Sequence, residues 1–338
     1  MAKYIAKRIL MLVPVLLGVS IIVFVIMRVF SPDPAPIVLG QHATMESMEE
    51  WREANGLNDP VYVQYLNYMK GVFKGDLGAS YYTGRSVKDE LMSRFPSTIE
   101  LAIMAIILAS VFGILLGVVS AVKKNSIFDV GGRIIALLGV SMPIFWLGII
   151  MIIIFSGTLH WLPSSGQVDP LLKPNPITGF NLLDCIISGN GAAVADTLKH
   201  MVLPAVTLSL YSMAIITRIT RTSMLDSLKQ DYVRTARAKG LGEKRVIYKH
   251  ALRTSLNPVV TVIGLQFGSL LGGAVLTETV YSWPGIGSYI VNCVMKSDFP
   301  VVQGAVLMIA TIYVLVNLLV DIVYTFLDPR IKYVNKEG

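Results

Sequence analysis

Apolar positions in this chain do not alternate with polar ones; they gather into six long blocks separated by polar stretches. Uncharged runs cover Ile9 to Met27, Leu101 to Val122, Ile134 to Leu159, Met201 to Thr217, Thr254 to Thr277 and Val301 to Val320, the last continuing past Asp321 to Leu327. A helix rises ~1.5 Å per residue, so about 20 apolar residues cross a hydrocarbon layer roughly 30 Å thick. Each block meets or approaches that length, the fourth being the shortest. The pattern predicts an all-α integral membrane protein with six transmembrane helices. The first block follows Lys3, Lys7 and Arg8 as a signal peptide would, but its apolar run is too long and no small-x-small cleavage site follows. It reads as a retained first helix.

The blocks divide the chain into an N-terminal tail with the first helix (1–30), an external segment (31–96), a core with the other five helices (97–327) and a tail (328–338). In the external segment, Glu46 to Ala54 reads as a short helix, and Val61, Tyr62, Tyr65, Leu66, Tyr68 and Met69 form an apolar face at helical spacing. That face suits a small folded cap, packed on the membrane surface or on a partner. The segment from Trp161 to His200 is rich in Pro, Gly, Ser and Asn and reads as an external excursion.

Composition agrees with a membrane class: 54% of residues are hydrophobic and 15% charged, against roughly a quarter charged in soluble domains. The net charge of +7 would suggest nucleic acid in a soluble protein, so its placement matters. With a cytoplasmic N-terminus, six helices put the N-terminus, residues 123–133, residues 218–253 and the C-terminus inside, where 19 of the 29 Lys and Arg lie. The outer segments hold nine basic and 15 acidic residues. Excess Lys and Arg mark cytoplasmic loops, so the surplus is one of topology, and no nucleic-acid partner is needed.

Candidate chemistry is sparse. Without a Gly-Lys pair there is no phosphate-binding loop ending GK[ST], so any ATP must be hydrolysed by another chain. His42, His160, His200 and His250 are scattered, and Cys185 and Cys293 are too few for a thiolate metal site. Within spans, Asp321 shares a face with Asn317 and Tyr324, which should point into protein or a water-filled path; an ion pair to Arg221 is the structural alternative. In the fifth span Gly264, Gly268, Gly272 and Gly273 alternate with Gln266 and Ser269, a pattern for close helix packing or for a pathway wall. Pro143 and Pro204 are expected to kink their helices.

The densest charge lies in residues 218–253, with ten basic and three acidic side chains. Leu228, Tyr232, Ala236 and Ala238 recur at near-helical spacing until Gly240 and Gly242 break the pattern, and Glu243 to His250 suits a second short helix. Two short helices about a glycine turn, held between two spans, make a knob that can transmit movement as a rigid body. Gly240 is expected to end the first helix. Arg234 and Arg237 are three apart, so one face could meet acidic residues of a partner, or be merely solvated.

The run DYVRTARAKGL, Asp231 to Leu241, with His250 to Arg253 after it, resembles the coupling motif of ABC importer permeases in the branch that carries dipeptides, oligopeptides and nickel. GLNDPVYVQYLNYMKGVFKGDLGASY (Gly56 to Tyr81), SMPIFWLG (Ser141 to Gly148), HMVLPAVTLSLY (His200 to Tyr211), ETVYSWPGIG (Glu278 to Gly287) and DFPVVQG (Asp298 to Gly304) look like the same branch in the same order, dipeptide permeases above all. The general motif opens with Glu-Ala-Ala and closes with Leu-Pro, whereas here Arg234, Thr235 and Ala236 open it and Leu252 precedes Arg253.

The resemblance implies a type I importer transmembrane subunit in the cell (inner) membrane that moves small peptides. It assigns ATPase coupling to Asp231, Tyr232, Arg234, Thr235, Ala236, Arg237, Lys239, Gly240 and Leu241. Implied partners are a second permease, two ATPase subunits that hold ATP and Mg, and an external binding protein. That protein is expected to dock near Tyr281, Trp283, Pro284 and Gly285. Gln266, Ser269, Gly272, Asn317 and Asp321 are the pathway or packing candidates. The alternatives are a nickel or metal-chelate permease, or an ion-coupled secondary transporter; the latter is expected to show paired inverted repeats.

Overall fold

The computed structural model describes residues 2–40 and 42–327, without the side chains of 2–9, 321 and 323–327. The tail 328–338 and the side chains of Asp321 and Tyr324 therefore lie outside the described residues. Among the described residues there are helices and one isolated bridge, Ala79 to Ser86, and no strand.

In chain order the helices are α1 (Ala2–Val29), α2 (Pro34–Leu39), α3 (Met45–Ala54), α4 (Val61–Phe73), α5 (Val87–Val122), α6 (Ile127–Ser141), α7 (Ile144–Met151), α8 (Asn181–Ile187), α9 (Gly191–Leu228), α10 (Asp231–Ala238), α11 (Glu243–Arg245), α12 (Leu252–Val280), α13 (Ile286–Met295) and α14 (Phe299–Leu327). π-helical turns at Ile152–Thr158 and Val246–Ala251 continue α7 and lead into α12. Five helices are long and apolar enough to cross a membrane, and α6 with α7 makes a sixth span if the broken pair is one.

That break is the third apolar block. Pro143 caps α7, and the two halves bend by 109°. Proline lacks the N–H a continuous helix needs and clashes with the preceding turn, so the chain turns there. Pro204 does not interrupt α9, which runs unbroken over 38 residues.

Two spans are longer than their uncharged runs suggest. α5 starts at Val87, ahead of Leu101, and α9 at Gly191, ahead of Met201. Charged residues end a hydrophobic run without ending a helix where they find polar partners. Gln167 Nε2 donates to Glu100 Oε2 at 2.7 Å, and the Leu182 amide to Glu100 Oε1 at 2.7 Å. The proline-rich excursion is thereby fastened to α5.

The main core joins Leu101, Ala102 and Ala105 of α5, Met201, Ala205 and Leu208 of α9, Leu270, Leu271 and Ala274 of α12, and Trp283. α5 and α9 approach closely because Gly113 and Gly117 carry no side chain. A Cβ on them would lie 2.8 Å from Ile216 and 2.6 Å from Thr220.

The segment between α1 and α5 is built on α1. α3 starts at Thr44, whose hydroxyl accepts from the Ser47 amide at 3.2 Å, an ordinary N-cap. α4 lays Tyr65 and Tyr68 against Phe24, and the Tyr65 hydroxyl meets Ser20 at 2.9 Å. The predicted apolar face thus splits, with Tyr65 and Tyr68 packed and Tyr62 and Leu66 exposed.

Candidate functional site

The knob between α9 and α12 has an apolar underside and a polar crown. Val233 and Ala236 of α10 are buried with Val118 and Ala121 of α5, Met224 of α9, and Val246, Ile247 and Ala251 of the π-helical turn. Anchored to three elements, α10 moves only as they move. Asp231, Tyr232, Arg234, Thr235, Arg237 and Lys239 are exposed on the opposite face.

The turn that ends α10 follows from Gly240. Its φ of +75° is left-handed, a region costly for side-chain-bearing residues. There the Gly240 amide donates to the Arg237 carbonyl at 2.9 Å, and the Leu241 amide to the Ala236 carbonyl at 3.3 Å. This pairing satisfies the last carbonyls of a helix in the Schellman motif. Leu241 then folds back onto the apolar underside. Nothing lies within 4 Å of a Cβ on Gly240, so backbone conformation, not space, sets the need for glycine.

The two arginines expected to act together are in different situations. Arg237 Nη2 and Nε donate to the two oxygens of Glu243 at 2.6 and 3.1 Å, which straps α10 to α11. The Glu243 carboxylate raises the pKa of the Arg237 guanidinium above its ordinary value. Both groups are exposed, so the pair contributes only ~0.2–1 kcal/mol. Arg234 is 78% exposed, with Asp231 at 3.7 Å. Arg234, Tyr232 and Lys239 form the open part of the crown.

The side chains of two of the four expected docking residues are taken up inside the chain. Tyr281 and Trp283 are 1% and 0% exposed. Trp283 Nε1 donates to the Ser97 carbonyl at 2.9 Å, and the Tyr281 hydroxyl meets Thr207 at 2.8 Å and the Gly148 carbonyl at 3.2 Å. Their side chains lock α12 to α5, α7 and α9; within this turn Pro284 is exposed and Gly285 buried. Sequence reasoning passed over Glu278 at the centre of this lock. It accepts from Thr98 Oγ1 at 2.7 Å and from the Ser288 amide at 3.0 Å. A Cβ on Gly285 would collide with its carboxylate.

The glycine stripe of α12 does two things. A Cβ at Gly264 would meet Val320 at 2.5 Å, and one at Gly268 would meet Asn317 at 3.4 Å, so these glycines let α14 pack. Gly272 and Gly273 face open space. Gln266 accepts from Ser212 Oγ at 3.0 Å, Ser269 is exposed, and Asn317 Oδ1 is buried without a partner. Arg221, the ion-pair partner considered for Asp321, bonds Asp129 through Nε at 2.8 Å and Nη2 at 2.9 Å. Beside that pair a cleft of about 370 Å³ between α6 and α9 is lined by Arg133, Leu137, Tyr211 and Arg218.

Two family models match this sequence. Residues 1–102 fit the N-terminal part of the binding-protein-dependent transport system membrane component, and residues 113–333 fit the binding-protein-dependent transport system inner membrane component. The chain is 47% identical to the dipeptide transport system permease protein DppB of Alkalihalophilus pseudofirmus, covering 98% of this chain and 100% of that one. It is 44% identical to DppB of Escherichia coli K12, over 98% and 99%, and 40% identical to the oligopeptide transport system permease protein AppB of Bacillus subtilis, over 98% and 100%. Its fold is similar to that in the inward-facing MetNI methionine ABC transporter, with a TM-score of 0.50, 17% identity, and 69% of this chain and 93% of that one covered. A multi-span helical chain matched nearly end to end in this way belongs to the binding-protein-dependent transport system inner membrane component family.

Proposed function

We propose that this chain is a permease subunit of an ATP-driven importer for small peptides. The observation that carries the reading is the anchored knob, within a chain 47% identical over nearly its full length to a dipeptide permease. In this reading α10 docks on an ATPase subunit through Tyr232, Arg234 and Lys239, and one of two such subunits serves each permease. ATP and Mg are held by the ATPases. A second permease completes the path, and an external binding protein delivers the peptide. Both termini, residues 123–133 and residues 218–253 face the cytoplasm, as the distribution of Lys and Arg favours.

The test is reconstitution of this chain with its partner subunits in proteoliposomes that hold ATP and a labelled dipeptide-loaded binding protein outside. Uptake should require both ATP and the binding protein. Uptake that proceeds without ATP, or a preparation that moves nickel chelates and no peptide, overturns the reading.

A further inference from the structure

One pocket outside the knob gathers more polar groups than it satisfies. It lies where the end of α1, α4, the loop at 76–78 and the first turn of α14 meet, and has a volume of about 210 Å³. Arg28, Tyr68 and Gln303 line it, with Asp76 among the remaining lining residues. Arg28 Nε and Nη1, the Tyr68 hydroxyl and Gln303 Nε2 are all buried there without a hydrogen-bond partner. Gln303 is only 4% exposed.

Guanidinium and amide nitrogens only donate, and the hydroxyl can donate as well. Burial pushes the Tyr68 phenol up to about 12, so it keeps its proton. The Arg28 guanidinium sits 4.7 Å from the Phe299 ring and 5.3 Å from the Phe24 ring. The ring contacts fix its position and offset part of its charge, and the neighbouring Tyr81 hydroxyl can accept one N–H, while Nε and Nη1 are left without an acceptor. Convergent, unsatisfied donors around a fixed cation make a receptor for anionic oxygens. The volume far exceeds the ~10–15 Å³ that one bridging water needs.

The surroundings specify which anion. Arg28 is next to the last residue of the apolar span Leu10–Val29, the depth at which head groups begin. Along the same stretch of α1, Ile22, Val25, Ile26 and Val29 are exposed, and α4 exposes Leu66 and Phe73. A phosphate at Arg28 with hydrocarbon beside it is the layout of a phospholipid. Asp76 disfavours additional negative charge and suits an ammonium.

We propose that this pocket binds a phospholipid head group, with Arg28, Tyr68 and Gln303 donating to the phosphate oxygens and the acyl chains lying along the exposed flank of α1. A zwitterionic ethanolamine head group fits better than an anionic glycerol one, because its ammonium can approach Asp76. Free phosphate shares the oxyanion chemistry but would leave the apolar flank unused.

The experiment is native mass spectrometry of the permease complex in mild detergent, titrated with dioleoylphosphatidylethanolamine, dioleoylphosphatidylglycerol or inorganic phosphate. The ethanolamine lipid should bind most tightly. Tyr68→Phe, which removes one hydroxyl, should weaken it roughly five-fold, and Gln303→Leu by a similar factor. Arg28→Leu should abolish it; if that variant fails to fold, the two milder ones still decide. Unchanged lipid binding by both Tyr68→Phe and Gln303→Leu overturns the proposal, and so does displacement of the lipid by inorganic phosphate.

Discussion

Arg221 grips Asp129 through hydrogen bonds of 2.8 and 2.9 Å, and by this contact the first turn of α6 is tied to α9 just before α9 delivers the chain to the knob. Asp129 is fully buried and also accepts from the Asn125 amide at 3.0 Å. A buried carboxylate of this kind is sustained by its partners.

Removing one partner therefore does more harm than removing both. Arg221→Leu leaves the carboxylate with only the Asn125 amide and Arg133 at 3.7 Å, and should destabilise the subunit by about 1–3 kcal/mol. Arg221→Leu combined with Asp129→Leu should recover a good part of that loss. Thermal unfolding in detergent of the two single variants and the double variant measures the coupling, and simple additivity would show that the pair is not a unit.

Gly240 carries a prediction in which the order of variants matters more than the size of any one. At φ +75° Asn is tolerated, Ala costs about 1 kcal/mol, and the β-branched Val more. Membrane insertion should be normal in all three. ATP-dependent uptake and association with the ATPase should fall in the order Gly, Asn, Ala, Val. Wild-type uptake by Gly240→Val would end the role of this turn in coupling.

Gly285 tests the lock around Glu278. Gly285→Ala puts a methyl group where the Glu278 carboxylate now lies, so the carboxylate must shift and strain its hydrogen bonds to Thr98 and the Ser288 amide. An overpacked site of this kind costs ~1–3 kcal/mol. The melting temperature should drop and protease sensitivity near 281–288 should rise. Glu278→Ala in the same chain should relieve the clash, although Thr98 and the Ser288 amide then lose an acceptor. An unchanged melting temperature in Gly285→Ala would mean that the turn is slack.

How far the sequence could be read depended on the range of each interaction. Gly240 was legible because the break it makes is local, as was the split at Pro143. The burial of Trp283 was not legible because its partner, the Ser97 carbonyl, lies 186 positions away. Asp129 went unnoticed for the same reason, with Arg221 92 positions away. Arg237 seemed free for a partner because helical spacing shows which face a side chain occupies, not that Glu243 across the glycine turn already takes its N–H groups. α5 and α9 start well ahead of their uncharged runs, since charge limits a membrane span, while hydrogen bonds to the excursion let α5 continue.

The orientation of the bundle yields the last prediction, and the two native cysteines make it easy to test. Cys185 and Cys293 are both buried, and burial pushes the Cys293 thiol up to about 12, so little thiolate forms at neutral pH. Thiolate is the reactive species, and the wild-type chain should thus give almost no background with a membrane-impermeant maleimide. Lys239 is exposed on the crown of the knob, and Glu50 is exposed on α3 in the segment built on the other end of α1. If the Lys and Arg surplus marks the cytoplasm, Glu50→Cys should be labelled on intact cells stripped of any outer barrier, and Lys239→Cys only after the membrane is opened. Labelling of Lys239→Cys from outside would invert the topology and remove the knob from the side where ATP is available. Protection of both positions would instead mean that a partner subunit covers one of them, and repeating the measurement on the chain expressed without its partners separates that case from inversion.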